Sequence, residues 1–418
     1  MAGCAGDLFP GAPGARGVRW RPSLPPNRSR QATRFSSRLP RNLQPSDFSR
    51  LQSELAATGD LCDLTQSNPT LAGFTVDALA GIDLLAADRG YHPSPRGDLA
   101  ARQAIAGYYQ ASGHGEIDAE DLLLTASTSE AYGFLLKLLT EPGDEILVPA
   151  PSYPLFDFLA AMEKVHVERY PLRPDPGGGW SIDFALLEER ISSVTRAIVV
   201  VNPNNPTGSY LCEREAAALA KICTKHRLAL LVDEVFLDYR NPRHAATTRS
   251  AVGERAAPTF VMSGFSKILA LPQVKLGWIH IAGPEPFKEE ARQRLDFIAD
   301  TYLSVNAMVQ RAAPALLSRQ GPVQEEILAR IAVNEAALAA LGVTAMGRQG
   351  GWYAVLPLPP GAGDERCCQQ LLTEHRVLVH PGYFYDFPES DRLVVSLITP
   401  PEQFALGVAC LANALRRG

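Results

Sequence analysis

From about Leu122 onwards, short continuous apolar runs alternate with stretches of helical period, which is the pattern a βαβ fold demands. The runs predict strands over Leu122–Ala126, Glu145–Pro149, Val165–Tyr170, Ala197–Asn202, Leu228–Val235, Thr259–Met262 and Leu276–Ile281. The stretches between them predict helices over Ser129–Leu139, Leu155–Met162 and Glu213–His226. Ala197–Asn202 is Val-rich and apolar throughout, as expected of a strand covered on both faces of a mostly parallel sheet. Helical pattern follows from Pro284 to about Leu341, with its longest amphipathic period over Gln324–Leu341. After Gly342 the texture changes to strand-like Gly351–Leu356, Val377–His380 and Leu393–Ile398, with helices around Glu365–His375 and Pro401–Arg416. That is a small α+β domain. Upstream, Phe48–Thr58 reads as a short helix, and Leu61–Thr65 leads into a turn at Ser67-Asn68-Pro69-Thr70. There is no internal repeat.

Composition narrows the function classes. The 418 residues are 46% hydrophobic, enough for one large domain or two. A net charge of -5 offers no general attraction to nucleic acid or to an anionic membrane, and no apolar run approaches the length of a span. The seven cysteines (Cys4, Cys62, Cys212, Cys223, Cys367, Cys368, Cys410) show no CxxC spacing, and their odd number points to reduced thiols and a cytoplasmic protein. The eight histidines show no HExxH or comparable spacing, so no metal is expected. Residues 1–41 are rich in Pro, Gly, Ser and Arg, hold Asp7 as their only acid, and lack any period, which predicts a disordered extension.

Ligands of open α/β sheets sit outside the carboxyl ends of the strands, so the residues just beyond each predicted strand are the ones to search for chemistry. Ser127-Thr128-Ser129 leads into a helix, where hydroxyls and free N–H groups suit a phosphate, although an ordinary N-cap uses the same residues. Pro151-Ser152-Tyr153-Pro154 sets an aromatic ring in a stiff turn, for stacking on a flat ligand or for the core. Asn202-Pro203-Asn204-Asn205-Pro206-Thr207-Gly208 is a tight turn whose side-chain amides can donate to a phenolate oxygen. Asp233-Glu234 ends an apolar strand, where a carboxylate is costly unless a cation such as a protonated pyridine meets it. Ser266-Lys267 comes after Thr259–Phe265, with Lys275 a second cation nearby; a lysine so placed is what an enzyme needs to hold an aldehyde cofactor as a Schiff base.

In this combination, from about Phe35 onwards, the chain resembles the class I/II aminotransferases of the fold-type I pyridoxal-phosphate enzymes. The resemblance implies pyridoxal 5'-phosphate as cofactor, with Lys267 as its Schiff-base lysine and later the base that moves the α-proton. It implies Asp233 on the pyridine nitrogen, Asn205 on the phenolate oxygen and Tyr153 stacked on the ring. Ser127, Thr128, Ser129, Ser266 and Lys275 would surround the phosphate. Tyr91, in Tyr91-His92-Pro93-Ser94-Pro95-Arg96-Gly97, matches a tyrosine that reaches the neighbouring subunit's phosphate, which implies a homodimer. The implied fold is α/β: a large domain with a mostly parallel mixed sheet flanked by helices over 85–305, and a small α+β domain over 306–418, joined by the N-terminal segment 42–84.

Four positions depart from the family's pattern. Phe236 stands where a tyrosine usually bonds the phenolate oxygen, Gly264 where a phosphate-binding serine is common, and Lys275 where the phosphate has an arginine. In Arg392-Leu393-Val394-Val395-Ser396 the family's carboxylate-clamping arginine falls on Val394; Arg392, two residues earlier on the same strand face, is a candidate replacement, against a surface strand-end arginine. Asn68 is a second candidate substrate contact, against an ordinary Asn-Pro turn. The expected activity is transfer of an amino group between an L-amino acid and a 2-oxo acid. The alternative is a decarboxylase or carbon-sulfur β-lyase of the same fold, because Asp233–Tyr239 is similar to the equivalent stretch of threonine-phosphate decarboxylases and histidinol-phosphate aminotransferases. A transcription regulator of this fold would need a DNA-binding helix-turn-helix, which residues 1–41 cannot form.

Overall fold

The computed structural model describes residues 36–40, 43–59, 61–83, 90–175, 179–243, 250–253, 255–389 and 391–417. Apart from 36–40, most of the predicted disordered extension over 1–41 therefore lies outside the described residues.

A two-residue strand, β1 (Cys62–Asp63), precedes the eight strands of the large sheet. These are β2 (Leu122–Thr125), β3 (Glu145–Ala150), β4 (His166–Pro174), β5 (Trp180–Ile182), β6 (Thr195–Val201), β7 (Ala229–Asp233), β8 (Thr259–Gly264) and β9 (Gly277–Ala282). Their order across the sheet is β2-β9-β8-β7-β6-β3-β4-β5. Strands β8, β7, β6, β3 and β4 run parallel, whereas β9 is antiparallel to both neighbours and β5 to β4. Side chains alternate between two cores. Leu123, Ile146, Val148, Val199, Leu231, Phe260 and Ile279 face the core that includes residues of helices Thr128–Leu139, Phe156–Glu163 and Glu285–Tyr302. Leu124, Leu147, Ile198, Val200, Leu230, Val232 and Trp278 face the other, which continues into the C-terminal part of the chain. Covering both faces is why the central strands read as unbroken apolar runs.

The second part is built around β10 (Tyr353–Pro357), β11 (Val377–Leu378), β12 (His380–Pro381) and β13 (Arg392–Ser396). Strands β10-β13-β12 form an antiparallel sheet, and β1 pairs in parallel with β11. The single strand expected over Val377–His380 is thus two: Val377–Leu378 joins β1, while His380–Pro381 joins β13. Pro381 has no N–H, so the ladder stops there. The helical run after Pro284 divides into Glu285–Tyr302, Ala307–Leu317 and Gln320–Ala340. Leu303 ends the first in a left-handed conformation (φ 44°), and Asn306 caps the second through an acceptor bond from Met308 N (2.8 Å). Helix Leu99–Ala111, capped by Asp98, was not expected; its buried Ala101, Ile105, Tyr108 and Tyr109 recur at helical spacing, but alanines on its other faces blur the contrast between buried and exposed positions.

Candidate active site

Four neighbouring parallel strands, β3, β6, β7 and β8, end on the same edge of the sheet, roughly 4.8 Å apart. Each delivers one of the expected groups. After β8, Lys267 lies in a single helical turn, Phe265–Ile268, and its Nζ sits 4.8 Å from the ring centroid of Trp352 and 5.5 Å from that of Phe236. Tyr239 Oη donates to the Lys267 carbonyl and so fixes the turn. Gly264 opens it, and a Cβ there would lie 2.9 Å from Leu276 O and 3.1 Å from Gly277 Cα. No side chain fits, which accounts physically for the absence of a serine at this position.

Asp233 ends β7 almost fully buried. Its carboxylate accepts from Val235 N (3.1 Å) and from Tyr132 Oη (3.3 Å). Burial pushes the carboxyl up to about 6, against the two hydrogen bonds and the nearby Lys267 charge, which favour the ionised form. A cation brought to this carboxylate would restore its charge. After β6, Asn205 is buried and its Oδ1 has no hydrogen-bond partner among the described residues. Its neighbour Asn204 ties this loop to the next: Asn204 Nδ2 donates to Pro151 O (3.0 Å), and Asn204 Oδ1 accepts from Ser152 Oγ (3.1 Å). Half-buried Tyr153 stands just beyond β3, at the edge of that link.

Ser127 caps helix Thr128–Leu139, its Oγ accepting from Glu130 N (3.1 Å). The cap reading of this hydroxyl is therefore correct, and an anion here would meet the N–H groups of the first turn, which a helix leaves unbonded, together with the Thr128 and Ser129 side chains. Gly277 brings this turn to the lysine side: a Cβ on it would lie 3.0 Å from Ser263 O, 3.1 Å from the Ser127 carbonyl carbon and 3.2 Å from Thr125 Oγ1. Ser266 is half-buried beside Lys267, and Lys275 is exposed with a left-handed φ of 59°. Tyr91 is 66% exposed in the single subunit.

Two candidates are occupied elsewhere. Asn68 Oδ1 accepts from Thr70 N (3.1 Å) and Thr70 Oγ1 (2.8 Å), the pattern of an Asn-Pro turn. Arg392 pairs with the Asp391 carboxylate, and its side chain is only 15% exposed, so it is not a surface arginine. It stands opposite Pro357, whereas Ser396 stands opposite Tyr353 and Leu397 N bonds Trp352 O (2.8 Å). Four residues of strand, about 13 Å, thus separate Arg392 from the end of β13 next to Trp352. Val394 is fully buried between Val355 and His380.

Tyr132 and the hydrogen-bond role of Glu234 were not anticipated. Tyr132 reaches Asp233 from a helix 101 residues away, so no local pattern marks it. A buried aromatic run, Trp352–Phe236–Tyr353–Tyr385, leads away from Lys267 with centroid spacings of 4.9, 6.1 and 6.4 Å, and ends at the hydrogen bond between Tyr385 Oη and His380 Nδ1 (2.9 Å). Among the described residues no cluster of His, Cys, Asp and Glu suits a metal, and no helix is long and apolar enough to cross a membrane. The six described cysteines are free thiols.

Residues 59–403 match the family model described as aminotransferase class I and II. An alanine aminotransferase of Mycobacterium tuberculosis is 28% identical over 374 residues, covering 84% of this chain and 85% of the relative. The human tyrosine aminotransferase is 29% identical over 333 residues, covering 76% and 71%. Among solved structures, an aminotransferase from Escherichia coli superposes with a TM-score of 0.78 at 23% identity, over 92% of this chain and 99% of that one, a likeness of fold.

Proposed function

The chain belongs to the class I and II aminotransferase family, and on that premise we propose that it moves an amino group between an L-amino acid and a 2-oxo acid, with Lys267 as the covalent attachment point of the cofactor. Enzymes of this family depend on pyridoxal 5'-phosphate, and the residues present fit it. Asp233 is a buried carboxylate short of a cation, Asn205 a buried side-chain amide at the neighbouring strand end, and Gly264 and Gly277 keep the helix turn beside the lysine free of side chains. When bound, the cofactor supplies an electron-withdrawing ring that stabilises negative charge at the substrate's Cα.

The chain's own residues do the rest. Lys267 would hold the cofactor through its side-chain amine and, once that amine is free, would serve as the base that moves the substrate's α-proton. Asp233, oriented by Tyr132 and Val235 N, would keep the ring nitrogen protonated. The Asn205 Nδ2 would donate to the phenolate oxygen, a contact that would not be shared with residue 236, because Phe236 has no hydroxyl. Tyr153 would stack on the ring, and Ser127, Thr128 and Ser129 at the helix turn, with Ser266 and Lys275, would hold the phosphate. Tyr91 reaches the phosphate of a second copy, and its 66% exposure in one subunit, with Phe297 at 77% and Tyr302 at 52%, supports a homodimer.

The observation that carries this reading is the placement of Lys267, Asp233 and Asn205 after three adjacent strand ends. One observation keeps the second reading, a decarboxylase or carbon-sulfur β-lyase, in play: Val394 puts a buried apolar side chain where a carboxylate-clamping arginine would stand. Incubation of the purified enzyme with a panel of amino acids including alanine, tyrosine and glutamate should yield 2-oxo acid and pyridoxamine phosphate. Release of carbon dioxide without pyridoxamine phosphate would overturn the aminotransferase reading in favour of the second.

A further inference from the structure

Glu234 is fully buried beside Asp233 and takes no part in the chemistry above. Its carboxylate gathers three donors from two separate segments. Asn202 Nδ2 (3.2 Å) and Ala251 N (2.7 Å) donate to Oε1, and Ser250 Oγ donates to Oε2. Its backbone is equally engaged: its N–H donates to Met262 O in β8 (2.8 Å), and its carbonyl accepts from Ser263 Oγ (3.3 Å). Asn202 closes the loop that carries Asn205, since its Oδ1 accepts from Leu211 N (3.0 Å) at the far end while its own N–H donates to Asp233 O (2.8 Å). One carboxylate therefore holds the side chain on which both ends of the Asn202–Leu211 loop converge.

We propose that Glu234 is a positioning residue: through Asn202 its ionised carboxylate fixes the Asn202–Leu211 loop, and with it the Asn205 amide that faces the cofactor. The proposal rests on the functional reading only for what Asn205 contacts. An ionised carboxylate accepts all three bonds as charge-assisted ones; when Oε2 takes a proton, Ser250 Oγ can reverse and accept from it, but the bonds from Asn202 and Ala251 to Oε1 become neutral and roughly half as strong, which loosens the hold on Asn202. Burial pushes this carboxyl up to about 7, against the bonds from Ser250, Ala251 and Asn202, so the change falls near neutrality. The ionisable groups around it are Asp233 beside it, Arg255, the phenols of Tyr108, Tyr109 and Tyr210, and His114, whose Nδ1 accepts from Ser250 N (3.4 Å).

Glu234→Gln keeps the shape and removes the titration. Two quantities test it across pH 6 to 8: amide exchange of peptides spanning 202–211 in the cofactor-free protein, corrected for intrinsic rate, and the dissociation constant for pyridoxal phosphate. In the wild type, loop exchange should rise and the cofactor should bind about five- to tenfold more weakly as the pH falls, the equivalent of one hydrogen bond. In the variant both should be flat relative to the wild type. Equal pH dependence of loop exchange in the two proteins would overturn the positioning role. Loop exchange that behaves as predicted with an affinity that does not would uphold the positioning role but remove Asn205 from the cofactor site. Should Glu234→Gln fail to fold, Ser250→Ala, which deletes one of the three donors, should raise loop exchange at every pH, and no change would likewise overturn the proposal.

Discussion

The carboxyl edge of the large sheet and the wall of the small domain both face Lys267, and they are made in different ways. At the sheet edge each polar group stands at the end of its strand or within four residues beyond it, and is held by neighbours of its own or the adjacent loop: Val235 N on Asp233, the Asn204 bonds to Pro151 and Ser152 beside Asn205, the Ser127 cap. The opposite wall is a run of rings from Trp352 to Tyr385, and the polar pair at its end, His380 with Tyr385, lies far along it. The sheet edge is assembled from neighbouring loops. The wall depends on register between β10, β12 and β13, where a shift of two residues decides whether an arginine or a valine stands opposite Val355.

Lys267→Ala tests the comparison most severely: turnover and the visible absorption of the lysine-bound cofactor should vanish together, and retention of both would remove this lysine from the mechanism. Next comes Asp233→Asn, expected to lower kcat roughly 10²–10³-fold, the range for losing one preorganised electrostatic contact. It carries a second signature in the cofactor-free protein. A carboxyl raised from its ordinary 3.8 to about 6 keeps its proton longer when folded, so its contribution to stability is full below 3.8 and is lost as pH rises through 6. The variant should show a shallower fall of stability over that window, the remainder belonging to Glu234 and Asp238, both also raised by burial.

On the other side of the site, Trp352→Ala should destabilise the fold by about 3–5 kcal/mol, since the ring is fully buried against Phe236 and Tyr239. Denaturant unfolding measures this, and a loss below ~1 kcal/mol would show that the wall is loosely packed. The smallest effect is expected of Arg392→Ala. Because the arginine sits at the far end of β13 on Asp391, KM for every carboxylate substrate should change less than about twofold; a tenfold rise would return the guanidinium to the substrate.

The same contrast explains what could be read from the chain alone. The central strands appear within a residue or two of their expected bounds, and helix Glu213–His226 matches its expected ends, because burial on both faces and clean amphipathic period write themselves into consecutive residues. Lys267, Asp233 and Asn205 were legible because they stand at the ends of such strands. Tyr132, 101 residues from the carboxylate it bonds, and Glu234, whose donors come from residues 202 and 250–251, depend on partners distant in sequence. Trp180–Ile182 and Phe184–Glu189 are too short to show a period, and the room denied to a side chain at Gly264 exists only once β9 is in place. Arg392 was placed by strand alternation alone, which gives a face and not a depth.

The parallel pairing of β1 with β11 bears on how the chain is made. Cys62 emerges from the ribosome early, yet its partner Val377 comes about 315 residues later. At roughly 5–20 residues per second, β1 waits some tens of seconds for its neighbour, while the whole of the eight-stranded sheet is synthesised in between. The carboxyl edge of the large sheet is thus complete in sequence before the wall opposite it can close, and a nascent chain arrested near residue 340 would expose the Lys267 side of the sheet without Trp352 packed across from it.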